Sequence, residues 1–216
     1  MKAALVVFDG MTMLDFIGFY DAITRLPRMG FMPDFSWNVC GLTPQVSDER
    51  GLGLLADRVG QSLEGYDLLY VPGGMGTRKL QHDAEFVQWL QTASGAQFKV
   101  SVCTGALLLG AAGFLRGLAA TTHPSALEAL KPYCAKVVHE RIVDQGPIVT
   151  GGGVSTSIDL GVHLVGRLGG NHVEGGRLAR GRRPLDRHVQ ARLHAGGQEE
   201  GHLGHDRVIL RDPHLP

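Results

Sequence analysis

The chain has 216 residues, with 21 Lys+Arg balanced by 21 Asp+Glu, 44% hydrophobic and 19% charged residues. That length suits one α/β domain with a sizeable core, and a formal charge of zero gives no electrostatic case for nucleic acid or an anionic membrane as partner. Cys40, Cys103 and Cys134 are odd in number and lack CxxC spacing, which argues against a disulfide framework or a zinc site and fits free thiols in a reducing cytoplasm.

Taken in order, Lys2 to Phe8 reads as a first strand and not as a leader, because its short apolar run reaches Asp9-Gly10 at once. No stretch suggests a membrane span. Thr12 then opens a helix predicted from Met13 to Leu26, ahead of Pro27. Asp15 falls in its first turn, where a carboxylate either complements the helix dipole or, given its apolar neighbours Leu14, Phe16 and Ile17, stands at the mouth of a pocket. Both readings stay open on spacing alone. Trp37 to Leu42 is the next predicted strand, and Val46 to Gly65, punctuated by Gly51, Gly53 and Gly60, reads as a hairpin excursion.

Asp67 to Val71 is apolar on both faces, the pattern of a buried parallel strand. It ends in Pro72-Gly73-Gly74, whose glycines let the backbone approach a ligand closely and offer an N–H. Leu80 to Thr92 carries a helical period and leads back to a strand at Phe98, Val100 and Val102. Cys103 follows directly, with Thr104 and Gly105 opening a leucine-rich helix predicted over Ala106 to Leu115. A thiol at a strand-to-helix turn projects from the sheet end, where the N–H groups of the new helix favour a thiolate and an oxyanion. A small buried core residue is the other reading of such a cysteine.

His123-Pro124-Ser125 marks a turn before a helix over Ala126 to Tyr133, and His123 is either near the site or merely solvated. Lys136 to Asp144 and Ile148 to Thr150 read as a strand pair around Gln145-Gly146-Pro147. Gly151-Gly152-Gly153 fits neither phosphate-binding pattern and reads as a tight turn beside the pocket, before a helix from Ser155 to about Leu168. Alternating strands and helices over residues 1–170 predict a doubly wound, mostly parallel sheet with helices on both faces. Asp15, Gly74, Cys103 and Gly153 all follow strands, so they are expected along one sheet edge.

The chain then changes character. Residues 171–216 hold six of the ten histidines, eight arginines and no lysine, a composition expected to give a divergent, poorly ordered tail. The spacing of His188, His194, His202, His205 and His214 matches no compact metal site.

Together, Leu14-Asp15-Phe16, Tyr70-Val71-Pro72-Gly73-Gly74, Val102-Cys103-Thr104-Gly105-Ala106, Ala120-Thr121-Thr122-His123 and Ile158-Asp159-Leu160 resemble the ThiJ/PfpI (class I glutamine amidotransferase-like) superfamily over residues 1–170. Asp15 combined with Cys103-Thr104 is most similar to its isocyanide hydratase branch. The resemblance implies a flavodoxin-like homodimer of the cytoplasm that adds water to a small-molecule isocyanide, with no metal or organic cofactor. It implies Cys103 as nucleophile, Asp15 and Thr104 as proton-handling and water-positioning groups, and Gly73, Gly74 and Gly153 around the oxyanion and substrate. Two alternatives remain: a glyoxalase or deglycase of the same superfamily, which usually pairs its cysteine with glutamate, and a ligand- or redox-sensing domain related to AraC-type regulators. The second would need a following helix-turn-helix, for which residues 171–216 offer no clean pair of amphipathic helices. The family's terminal helix is not recognisable in that tail either.

Overall fold

The computed structural model describes residues 1–173, with side chains to residue 169. In chain order the elements are β1 (Lys2–Val6), α1 (Met13–Ile23), α2 (Arg25–Arg28), β2 (Ser36–Gly41), β3 (Gln45–Ser47), β4 (Gly53–Leu55), β5 (Arg58–Val59), β6 (Leu68–Val71), α3 (Thr77–Leu80), α4 (Ala84–Gln91), β7 (Phe98–Val102), α5 (Gly105–Ala111), β8 (Ala119–Ala120), α6 (Leu127–Leu130), β9 (Lys136–Val137), β10 (Ile142–Asp144), β11 (Ile148–Gly151) and α7 (Thr156–Val173). Seven strands form the main sheet in the order β10-β11-β7-β6-β1-β2-β5. Every pairing in it is parallel except β10 with β11. Ala3 to Val6, Leu68 to Val71 and Phe98 to Val102 are buried on both faces, as a parallel sheet covered on both sides requires. The doubly wound, mostly parallel architecture expected from the sequence is therefore the one observed.

Side-chain direction shows the two covering layers. On one face the Phe19 ring of α1 stacks on Tyr70 of β6 at 3.7 Å, and the Arg167 guanidinium of α7 lies over Phe98 of β7. On the other, Lys99 of β7 reaches the Ser94 and Ala96 carbonyls past the end of α4 and lies beneath the Phe114 ring that follows α5. The helix α1 packs closely along α7, because Gly161 brings it to Ala22 and Gly18 brings it to Ser157.

Several elements differ from the expected ones, each for a local reason. The helix expected over Met13 to Leu26 breaks at Thr24, where the hydroxyl donates to the Tyr20 carbonyl at 2.7 Å and Pro27 brings no N–H to continue the ladder. That expected over Leu80 to Thr92 begins only at Ala84 as α4, since the Asp83 carboxylate accepts the Glu85 and Phe86 N–H groups and starts the helix there, while Leu80 closes the preceding α3. The hairpin excursion is β3 with β4, but β5 then rejoins the main sheet beside β2. Lys136 to Asp144 is not one strand. Its start, β9, pairs with β8 in a separate two-stranded sheet, and only β10 pairs with β11. The last helix runs to Val173, past Leu168 and three residues into the segment expected to be a divergent or poorly ordered tail. The rest of that tail, with the histidines from His188 onward, lies outside the described residues. Among the described residues no helix is long and apolar enough to cross a membrane, and no group of three or more His, Cys, Asp or Glu is placed to hold a metal ion.

Candidate active site

The parallel strands β6 and β7 end side by side, and their following loops meet the start of α1. Cys103 occupies the turn from β7 to α5 with φ of 54°, the only described non-glycine residue with positive φ. Such a conformation costs an L-residue roughly 1–2 kcal/mol. Two hydrogen bonds hold it: the Cys103 N–H donates to the Gly151 carbonyl at 3.0 Å, and the Thr122 hydroxyl donates to the Cys103 carbonyl at 2.8 Å. Glycine is needed at 105, where a Cβ would lie 2.4 Å from the Val71 carbonyl oxygen. Only without one does α5 start this close to the end of β6.

Asp15, in the first turn of α1, has no exposed surface. Its Oδ2 accepts the Gly73 N–H at 3.0 Å, and its Oδ1 is buried without a hydrogen-bond partner. Burial pushes its pKa from 3.8 up to about 7, against the opposing pull of the Gly73 N–H and the adjoining Cys103 thiol, while the Glu49 carboxylate adds to the rise. The thiol moves the same way. Burial first, then the Asp15 charge, push Cys103 from 9.0 up to about 12, and the Thr104 N–H returns only part of this. The expectation that the helix start would favour a thiolate is therefore overridden by desolvation. At neutral pH the pair holds a neutral thiol beside a carboxyl that is protonated part of the time.

Gly73 sits at the centre of this group. A Cβ on it would lie 2.6 Å from the Thr104 nitrogen, 2.7 Å from Cys103 Cβ and 2.8 Å from Asp15 Oδ2. Gly74, with φ of +129°, would meet the Gly10 carbonyl oxygen at 2.4 Å. The Thr104 hydroxyl accepts the Gly74 N–H at 2.9 Å and donates to the Gly74 carbonyl at 3.0 Å. The Gly74 N–H, expected beside the oxyanion, is thus engaged by the Thr104 hydroxyl, which ties the two loops together and also lies against the Cys103 thiol. The Thr104 N–H remains directed at the thiol.

Cys103, Asp15, Thr104, Gly73 and Gly74 are thus brought together, whereas Gly153 lies in an adjoining cleft with Thr121, Thr122 and Thr156. His123 makes local bonds: its Nδ1 accepts the Ser125 N–H and faces the Ser125 hydroxyl. Sequence reasoning gave no role to three residues that shape the site. Thr122 supports the Cys103 carbonyl. Tyr70, wholly buried, donates its hydroxyl to the Asp15 main-chain carbonyl at 2.5 Å. Ser157 donates to the neighbouring Leu14 carbonyl at 3.1 Å. A tyrosine inside a strand otherwise made of aliphatic residues was the one available signal, since a buried phenol needs a partner.

This parallel α/β sheet, with a strained cysteine at the β7–α5 turn beside a buried acid from the first helix, is that of a DJ-1/PfpI protein, and the chain belongs to that family: the model of the DJ-1/PfpI family matches residues 1–167. Among individual proteins it is similar to the isonitrile hydratase of Pseudomonas putida, 33% identical over 171 residues, which covers 79% of this chain and 73% of that one. It is also similar to the DJ-1 homolog A of Arabidopsis thaliana, 34% identical over 108 residues, covering 49% of this chain and 28% of the relative. Among solved structures, a ThiJ/PfpI family protein from Pseudomonas syringae superposes with a TM-score of 0.70 at 25% identity, covering 91% of this chain and 86% of that chain. Drosophila melanogaster DJ-1beta gives the same TM-score at 20% identity, over 91% and 96% of the two chains, which speaks for the fold alone.

Proposed function

We propose that the protein is an isocyanide hydratase, a lyase that converts R–N≡C and water into R–NH–CHO through a covalent thioimidate on Cys103. The observation that carries this reading is the buried Asp15 carboxyl, with a pKa of about 7, beside a thiol that is not ionised in advance. An isocyanide carbon needs sulfur and a proton delivered to the same atom. The ionised Asp15 takes the thiol proton as sulfur attacks the terminal carbon, and Asp15 then gives that proton to the same carbon, leaving R–N=CH–S–Cys103. Water adds to that carbon with Asp15 passing one of its protons to nitrogen. Collapse breaks the C–S bond, and the hydroxyl proton returns to sulfur as the formamide leaves. The Thr104 N–H steadies charge on sulfur, and the Gly73 N–H holds the carboxylate in place. Thr104 and Gly74 act by fixing the loops. The 33% identity to the P. putida isonitrile hydratase supports the same reading.

The resemblance also carries a homodimer. Leu14 and Ile17 of α1 and Ile158 of α7, 43–49% exposed next to the site, are apolar surface of the kind a second copy would cover.

The test is to incubate the protein, and Cys103→Ala, with phenyl isocyanide and with methylglyoxal. N-phenylformamide produced by the wild type and lost in the variant is the expected outcome. Lactate from methylglyoxal would replace this reading with the glyoxalase one, and neither product would favour a sensor.

A further inference from the structure

The first turn of α1, which carries Asp15, lacks the usual support of a capping side chain: Thr12 occupies the N-cap but its hydroxyl makes no capping hydrogen bond. Two hydroxyls from remote parts of the chain grip this turn instead, on successive carbonyls. Ser157 of α7 donates to the Leu14 carbonyl at 3.1 Å, and Tyr70 of β6 donates to the Asp15 carbonyl at 2.5 Å. Carbonyls at these positions already accept N–H groups from the next helical turn, so neither donor is needed to satisfy them. What the hydroxyls add is a tie from the backbone of the acid to the sheet and to α7.

Tyr70 is itself held without freedom. Its side chain has no exposed surface, and the ring of Phe19, one helical turn beyond Asp15, stacks on it at 3.7 Å with the planes 3° apart. Burial first, then the Asp15 and Cys103 charges, hold its phenol well above the ordinary tyrosine range, so it stays a donor throughout neutral pH. Three residues further on, the Gly73 N–H donates to Asp15 Oδ2 at 3.0 Å and the Gly73 carbonyl accepts the Thr12 N–H at 2.8 Å. One short run of chain, 70–73, therefore holds Asp15 both by its main chain and by its carboxylate. Oδ1 is left as the oxygen without a partner.

We propose that Tyr70, with Ser157 in support, is a positioning residue for the proton carrier: its hydroxyl fixes the Asp15 backbone so that the carboxylate stays on the Gly73 N–H. The kinetic consequence rests on the hydratase reading; the placement of the carboxylate does not. The Gly73 N–H favours the ionised carboxyl, so loosening that bond moves the Asp15 titration to higher pH. The other ionisable groups facing Asp15 are the Cys103 thiol from the β7–α5 turn and the Glu49 carboxylate from the β3–β4 turn. From α7 the group on this turn is the neutral Ser157 hydroxyl.

The experiment titrates the Asp15 carboxyl carbon by NMR in protein labelled at aspartate, its signal assigned by loss in Asp15→Asn, alongside urea unfolding and phenyl isocyanide kinetics. Tyr70→Phe is expected to raise the Asp15 midpoint by about 0.5 pH or more. It is also expected to lower kcat about tenfold while KM moves less than about twofold. Ser157→Ala is expected to move the midpoint the same way by less. Phe19→Leu, which removes the stacked ring and leaves the hydroxyl bond, is expected to lose stability with the midpoint unmoved. A Tyr70→Phe midpoint within about 0.2 pH of wild type overturns the assignment. So does a Phe19→Leu shift as large as that of Tyr70→Phe, because packing of the ring would then be the cause. If Tyr70→Phe does not fold, Ser157→Ala decides: a raised midpoint supports the assignment and an unchanged one overturns it. A wild type that forms no formamide overturns the hydratase reading alone, and the midpoints still decide the role of Tyr70.

Discussion

A carboxyl group with no exposed surface and a pKa of about 7 makes Asp15 costly to the fold wherever it is ionised. The unfolded chain releases this proton near 3.8 and the folded chain near 7, so between those values the folded state binds more protons. Stability therefore falls as pH rises through that window, and the loss is complete above about 7, on the order of 4 kcal/mol for a shift of this size. Asp15→Asn keeps an acceptor for the Gly73 N–H and removes the charge. It is expected to raise the urea midpoint at pH 8 by an amount that vanishes at pH 4, while lowering kcat by roughly 10²–10⁴ through loss of the proton carrier. An equal gain at both pH values would show that the stabilisation does not come from the charge. On the proposed reaction, the fold tolerates this burial because proton transfer needs it there.

At the level of elements, the site depends on how closely α1 can lie on α7, because Asp15 rides on α1. Gly161 sets that distance: a Cβ there would approach Ala22 Cβ to 2.6 Å. Gly161→Ala is expected to cost about 1–3 kcal/mol by overpacking, measured in urea, and to reduce hydration although residue 161 touches neither Cys103 nor Asp15. Full activity in a destabilised variant would show that Asp15 is held by its strand partners alone. Much of this scaffold was legible in the sequence. The apolar runs within Lys2 to Phe8 and Asp67 to Val71 and the alternation of Phe98, Val100 and Val102 identified three central strands, observed as β1, β6 and β7, and the change of period after Val102 put Cys103 at a turn. What stayed illegible was set by contacts remote in sequence. Nothing local tells that Thr122 supports the Cys103 carbonyl, that Tyr70 bonds to Asp15, or that Lys136 and Val137 leave the main sheet for β8. The helix breaks at Thr24 and Asp83 were written in the sequence, as a back-bonding threonine before Pro27 and as a capping aspartate, but a smooth apolar period masked them. The occupied Gly74 N–H follows from a side chain thirty positions away, beyond the reach of any motif.

Across the whole molecule, the parallel sheet places two strand ends and a helix start at one edge, and burial there sets the chemistry. Membership of the DJ-1/PfpI family is compatible with several reactions, since the same cysteine turn serves whatever pocket surrounds it. The choice of hydration rests on Asp15 and on a thiol that gives up its proton only as it reacts. That account requires sulfur to become bonded to the substrate carbon and then to be released by water. The most direct measurement is rapid-quench intact-protein mass spectrometry after mixing with phenyl isocyanide. A single adduct equal to the mass of the isocyanide is predicted at Cys103, rising and decaying as N-phenylformamide appears, and absent in Cys103→Ala. Formamide released at the wild-type rate by Cys103→Ala, or an adduct at Cys103 that never decays to formamide, would contradict it.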